Sequence, residues 1–170
     1  MRFFVSLIVS VVLLAGCSIG TTTPQLGADG KPLPKLYRIS NNASGKIQFR
    51  ILDSVNSLRQ AAGAPSVELN AQLNAAAATH SRDMSAQNRP WHFGSDGSSP
   101  IDRVARSGYA GDLVGELISE TYETELETLG AWMQEPATRA ILLDKRATNI
   151  GFNWYQESTG KIWWTLVMGG

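Results

Sequence analysis

Apolar residues early in the chain recur with the spacing of one helix face. They follow one another at intervals of four, four and three positions: Ile47, Ile51, Val55 and Leu58. This spacing predicts a helix with one buried face, and Gly63 and Pro65 are typical of its end.

A second helix is predicted after Asn70, a residue type that favours the N-cap. Its apolar stripe contains Leu73, Ala76, His80 and Met84. The small side chains of residues 75–78 would allow another element to approach closely. Because His80 lies on this stripe, we expect it to be a buried, hydrogen-bonded core residue.

Two shorter helices are predicted from their N-terminal signals. Ser99, Pro100 and Asp102 provide a cap, a proline at the first helical position and an acid three residues after the cap. Thr124 and Glu127 form a second capping-box candidate. The apolar face of the helix that follows would contain Leu126, Leu129 and Trp132, and Pro136 would interrupt it.

The last part of the chain alternates apolar and polar residues. Residues 113–122 read as a strand, and residues 149–156 and 161–168 form a predicted hairpin around Gly160. Trp163 and Trp164 must point to opposite sheet faces. Helices followed by antiparallel strands predict an α+β fold with helices packed on a sheet.

The N-terminus predicts an export signal. Arg2 precedes an apolar run over residues 3–14, which is too short for a permanent membrane span of about 20 residues. The sequence Leu-Ala-Gly-Cys at 14–17 then resembles a bacterial lipobox, which implies cleavage after residue 16 and acylation of Cys17. A plain secreted protein with an incidental cysteine is the alternative.

The predicted organisation is therefore a signal peptide over 1–16, a flexible tether over 17–43 and one domain over 44–170. The tether is inferred from several Pro and Gly breakers without apolar periodicity. We expect a lipid-anchored protein of the cell envelope. In a Gram-negative cell, Ser18 after the cysteine resembles the signal for the outer membrane, facing the periplasm.

Composition narrows the function further. The 170 residues include 15 basic and 15 acidic side chains, so no excess positive charge favours nucleic acid. The single cysteine excludes an intramolecular disulfide and all multi-cysteine zinc motifs.

Four segments in order resemble the CAP superfamily of cysteine-rich secretory, antigen and pathogenesis-related proteins, in its bacterial SCP-domain branch. They are AAATHSRDM at 76–84, HFGSDGSSPIDR at 92–103, GELI at 115–118 and WMQEP at 132–136. The closing segments NIGF at 149–152 and WWT at 163–165 also fit. The resemblance covers about residues 45–169.

The resemblance implies a three-layer α-β-α sandwich with a central antiparallel sheet. It also implies a surface cleft with two His and two Glu, of which His92, Glu116 and Glu135 match three. Thr138 stands where the second His would be, and Leu117 stands where the family usually has Asn. The cleft is thus an incomplete copy.

The matched residues suggest a candidate metal site. One imidazole and two carboxylates, from His92, Glu116 and Glu135, could hold a divalent ion with an open position for water. Each also has an ordinary interpretation, as a loop hydrogen bond, a strand-edge charge and a helix end. A Thr hydroxyl is a poor zinc ligand. We therefore expect no required cofactor and at most weak zinc binding.

Two classes of function follow. The first is a non-enzymatic binding or interaction module for a lipid-like small molecule or an envelope protein. The second is a metal-assisted hydrolase of envelope material that uses Glu116 or Glu135 as the base. A passive envelope lipoprotein is a minor third. A serine-hydrolase triad with Ser98 or Ser99 is disfavoured, because the surrounding glycines lack the strand-to-helix context of a nucleophile elbow.

Overall fold

The computed structural model describes residues 36–40 and 42–170, together with 28, 30 and 31. The chain divides into two units, 1–35 and 36–170, and the second contains the helices and strands of the described residues. The predicted signal segment and Cys17 lie outside the described residues. No helix within the described residues has the length and apolar character needed to cross a membrane.

The second unit contains five helices and four strands. The helices are α1 (Ser44–Ala61), α2 (Ala71–Gln87), α3 (Pro100–Arg106), α4 (Glu125–Gln134) and α5 (Pro136–Leu142). The strands are β1 (Glu68–Leu69), β2 (Leu113–Ser119), β3 (Asn149–Gln156) and β4 (Ile162–Gly169). The mixed α+β fold predicted from the pattern is confirmed.

The strands form one sheet in the order β1-β3-β4-β2. The hairpin pair β3–β4 is antiparallel, with Trp154 opposite Trp164, and β2 adds to β4 in the antiparallel sense. The two-residue strand β1 pairs with β3 in parallel. This short parallel edge was not predicted, because two residues carry no periodicity.

Both faces of the sheet are covered, which explains the two adjacent tryptophans. Trp163 and Trp164 are both fully buried although their side chains alternate. Ser81 of α2 donates a hydrogen bond to Thr165 at 2.9 Å, which places α2 on the face that Trp163 shares. Trp164 instead belongs to the core packed against α1 and α4.

Helix α2 approaches the sheet closely at a glycine. A Cβ atom on Gly151 of β3 would lie 2.2 Å from the backbone carbon of Leu73, so only glycine fits. Ala76 and Ala77 are buried in the same layer. The close approach expected from the small side chains of α2 is thus observed.

The opposite face holds the larger core. Phe152 stacks on Trp164 with ring centroids 5.6 Å apart and meets Trp132 edge to face at 6.5 Å. Ile47, Ile51 and Val55 of α1 and Leu129 of α4 pack on these rings, as the helical spacing predicted for α1.

The predicted caps are present, whereas two details of α4 and its end differ. Ser99 and Thr124 each form a capping box, with Asp102 and Glu127. Leu126, predicted on the buried face of α4, is exposed, because its side of the helix faces solvent while Leu129 and Trp132 pack inward. Pro136 does not simply end α4 but begins α5, where no intrahelical hydrogen bond requires its missing N–H.

The compact unit extends before α1. Arg38 donates to the backbone carbonyl of Glu157, and the Gln156 amide bonds the backbone of Tyr37 and Ile39. Residues 37–39 are therefore held at the β3–β4 turn, ahead of the first helix.

Candidate functional site

Glu116 is the centre of the most charged buried cluster that the described residues contain. It lies on β2 opposite Val167 of β4, and its side chain is only 3% exposed. A carboxylate at this depth requires partners, because an unpaired buried charge is very costly. Three side chains from other elements supply them.

Arg103 of α3 is the first partner. Its Nη2 donates to both Glu116 oxygens, at 2.8 and 2.7 Å, and to the backbone carbonyl of His92 at 2.8 Å. Its Nη1 donates to the carbonyl of Ser98. The guanidinium thereby fixes β2, the start of α3 and the loop between α2 and α3 in one arrangement.

His92 is the second partner and the exposed one. Its Nδ1 lies 3.0 Å from Glu116 Oε1, while 49% of its side chain is exposed. The carboxylate can only accept, so Nδ1 carries the proton. In the neutral imidazole, Nε2 then presents a lone pair, and no protein partner for Nε2 occurs within the described part of the chain.

His80 is the third partner and is completely buried. Its Nε2 donates to the carbonyl of Trp91 at 3.0 Å and lies 3.5 Å from Glu116. Burial lowers the pKa of His80, although the nearby Glu116 charge opposes this. The imidazole is therefore neutral at pH 7, as expected for a core histidine, and its Nδ1 has no partner among the described residues.

The charge on Glu116 persists despite burial. Burial raises the pKa of its carboxyl, but the hydrogen bond from His92 and the charge of Arg103 outweigh this and hold the pKa below its ordinary value. Glu116 is thus an ionised group whose counter-ion is part of the protein.

The other two matched residues form no hydrogen bond or ion pair with this cluster. Glu135 is exposed between α4 and α5, and its carboxylate has no hydrogen bond or ion pair to a described residue. The Thr138 hydroxyl donates to the carbonyls of Trp132 and Glu135, within its own segment. The structure therefore pairs His92 with Glu116 and leaves Glu135 and Thr138 outside that pair.

This arrangement does not fit a metal ion. Among residues 36–40 and 42–170, no three His, Cys, Asp or Glu side chains are placed to hold one. Both Glu116 oxygens already accept from Arg103, and a divalent cation there would be repelled by the guanidinium. The candidate set of His92, Glu116 and Glu135 is not assembled.

Aromatic residues directly precede and follow His92 in the chain. Trp91 and Phe93 have ring centroids 5.5 Å apart, and the Arg89 guanidinium lies 3.8 Å above the Trp91 ring. Phe93 is 48% exposed. His92 is therefore presented beside exposed apolar surface. We call Trp91, His92 and Phe93 the aromatic loop.

Sequence reasoning did not single out Arg103 or connect His80 with Glu116. Arg103 is one of several charges on a seven-residue helix, where an arginine is usually solvated. Its neighbour Val104 was the available signal, because one face of so short a helix must be buried. The helical spacing predicted that His80 is buried. Its proximity to Glu116 on β2 could not be predicted, because it depends on tertiary packing.

Comparison with known proteins gives consistent matches. A family model described as "CAP: Cysteine-rich secretory protein family" matches residues 52–168. The uncharacterized protein YkwD of Bacillus subtilis is 29% identical over 120 residues, which cover 71% of this chain and 46% of that protein. The chain thus spans about half the length of that relative.

Two solved structures share the fold. An outer surface protein from Borrelia burgdorferi has a TM-score of 0.67 at 17% identity, with 79% of this chain and 98% of that chain covered. An extracellular protein containing an SCP domain, from Bacillus anthracis, has a TM-score of 0.67 at 23% identity, with 77% and 44% covered.

Proposed function

Because this chain belongs to the CAP family of cysteine-rich secretory proteins, we propose that it is a lipid-anchored binding module of the cell envelope. Its ligand would be a lipid-like small molecule or an envelope protein, bound without chemical conversion. The aromatic loop is the proposed contact surface. The observation that carries the proposal is the buried Arg103–Glu116 ion pair, which holds His92 of this loop in place.

The ion pair determines the chemistry available to His92, because it controls how Glu116 interacts with the imidazole. Glu116 is neutralised by Arg103, so it orients the imidazole through Nδ1 but has no free oxygen for a metal ion. The outward Nε2 lone pair accepts a hydrogen bond from a hydroxyl head group. Phe93 supplies exposed apolar surface next to it. An amphipathic ligand with a hydroxyl head fits both features.

The location rests on the N-terminus and on the relatives. The lipobox-like sequence ending at Cys17 supports acylation, and two or more acyl chains would anchor the protein stably. Relatives that share the fold are described as an outer surface protein and as an extracellular protein.

Ligand retention tests the binding proposal. The full chain is purified from its own host, extracted with organic solvent and analysed for lipids by mass spectrometry, beside a Phe93→Ala variant. We expect a lipid-like compound in stoichiometric amount that is depleted in the variant. Tyr155→Ala is the matched control, because Tyr155 is an exposed aromatic on β3. Equal retention by all three proteins contradicts the proposed surface.

The second candidate is a hydrolase, and one observation favours it. A histidine that donates Nδ1–H to a buried carboxylate is oriented as a general base usually is. Against it, Arg103 neutralises the charge of Glu116, and the carboxylate of Glu135 forms no hydrogen bond or ion pair with either residue of the pair. Hydrolysis of envelope material that is lost in His92→Gln would support this candidate over the binding module.

A further inference from the structure

A recess opens beside Arg103. It has a volume of about 380 Å³ and lies between α2, the loop at 94–98 and α3. This volume falls within the range of small-molecule sites, roughly 300–1,000 Å³. Its wall combines four hydroxyl residues, two aspartates, two arginines and two alanines.

The hydroxyl groups of the wall face a ligand mainly as acceptors. Thr79 donates its proton to the Ala75 carbonyl at 3.0 Å, and Ser107 donates to the Val104 carbonyl at 2.7 Å. Ser95 donates to Asp83 at 2.6 Å. Each oxygen keeps lone pairs that can accept. A ligand that presents hydroxyl donors satisfies them, whereas an ionised carboxylate has no proton to give.

Three of the four charges in the wall have an ion-pair partner, and the fourth, on Asp83, is met by hydrogen bonds. Asp96 pairs with Arg106 at 2.5 Å, and Arg103 pairs with Glu116. Asp83 accepts from the Ser95 backbone N–H at 2.7 Å and from Gln87 at 2.9 Å. An anion would meet two aspartates and a cation two arginines, so the wall favours an uncharged ligand.

The wall also provides donors and a small apolar surface. Arg106 uses only Nη1 in its bond to Asp96, which leaves other N–H groups for ligand oxygens. Ala75 is exposed and offers the apolar face of a ring a contact on α2, with the buried Ala76 beside it. The loop opposite is compact, since a Cβ on Gly94 would lie 2.5 Å from Ser98 Oγ.

We propose that this recess is a binding site for a neutral polyhydroxylated ligand of the saccharide class. It is distinct from the aromatic loop, although Arg103 forms part of the wall here and supports His92 there. The proposal therefore stands whether or not a lipid-like ligand binds at the aromatic loop.

Calorimetric titration of the full chain tests the proposal. The protein is purified in a zwitterionic, sugar-free detergent and titrated with the N-acetylglucosamine trimer and with maltotriose, and inorganic phosphate serves as the charged probe. Ala75→Phe fills the recess from an exposed helix position. Ala86→Phe adds the same ring to an exposed position of α2 outside the recess and is the matched control.

We expect saturable binding of at least one trisaccharide and none of phosphate. Ala75→Phe should lower the association constant at least ~10-fold, whereas Ala86→Phe should leave it unchanged. Thr79→Val, which removes one acceptor at constant size, should weaken binding by a smaller factor. No binding of either trisaccharide, equal binding by Ala75→Phe, or displacement by phosphate would each overturn the proposal.

Discussion

The Arg103 guanidinium donates to both oxygens of the Glu116 carboxylate, at 2.8 and 2.7 Å, from a helix 13 positions earlier in the chain. Both side chains are almost fully buried, at 5% and 3% exposure. This pair joins α3 to β2 and sets the position of His92 at the surface. The stability and the chemistry of the site therefore depend on the same contact.

Breaking this pair should strongly destabilise the protein. Glu116→Gln leaves the guanidinium buried without its counter-ion, and the free energy of unfolding should fall by about 3–5 kcal/mol. Chemical denaturation followed by circular dichroism measures this. Arg146→Gln removes the exposed partner of an ion pair with Asp144 and is the control, with a change of less than about 1 kcal/mol expected. A Glu116→Gln midpoint equal to that of the control would contradict the pairing.

Alanine substitutions at two glycines should change the free energy of unfolding in opposite directions, because α2 approaches the sheet closely at only one of them. Gly151→Ala forces a Cβ against the backbone of Leu73 and should cost about 1–3 kcal/mol of unfolding free energy. Gly130→Ala, in α4 with open space around it, should stabilise by about 0.5–1 kcal/mol. Thermal melting of both variants beside the wild type measures these changes. A Gly151→Ala protein as stable as wild type would contradict the described packing.

The buried histidine predicts a loss of stability in mild acid. Burial lowers the pKa of His80 from its ordinary 6.5. The unfolded imidazole thus gains a proton first, and the free energy of unfolding falls as the pH drops below about 6.5. Below 4.5 the protonation of Glu116, whose folded pKa is lowered, removes further stability as the pH passes through that folded pKa.

Denaturation midpoints at several pH values between 7 and 5 measure the His80 contribution. His80→Gln, which retains a donor for the Trp91 carbonyl but does not titrate, should flatten this dependence. An unchanged slope in the variant would show that His80 is not the group responsible.

The anchor prediction concerns Cys17. Cys17→Ala removes the only thiol in the chain, so acylation cannot occur, and the protein should leave the membrane fraction or remain unprocessed. Immunoblots of fractionated cells measure this, and Ser18→Ala is the control for a change at the neighbouring position. Normal processing and wild-type membrane association of Cys17→Ala would contradict the lipoprotein proposal.

Local signals accounted for much of the fold. The spacing of Ile47, Ile51 and Val55 located α1, and the capping boxes at Ser99 and Thr124 located the starts of α3 and α4. These features depend on neighbours within a few residues. The exposure of Leu126 was missed because it depends on where α4 lies on the sheet, which periodicity over ten residues does not define.

Less of the site than of the fold could be predicted from the sequence, because its contacts join residues that are far apart in the chain. His92 and Glu116 are 24 positions apart and were matched only through the family resemblance. Arg103 decides the electrostatics of the site, yet a solvated arginine and a buried one have the same local sequence signature. Long-range ion pairs of this kind are set by the packing of whole elements.

Calorimetric titration of the tag-free full chain with zinc at pH 7, wild type beside His92→Gln, tests most directly whether Arg103 rather than a metal ion is the partner of Glu116. We expect no saturable heat from either protein, and equal melting temperatures in zinc and in chelator. Stoichiometric zinc binding by the wild type that is lost in His92→Gln would contradict the binding-module account and favour the metal-assisted hydrolase.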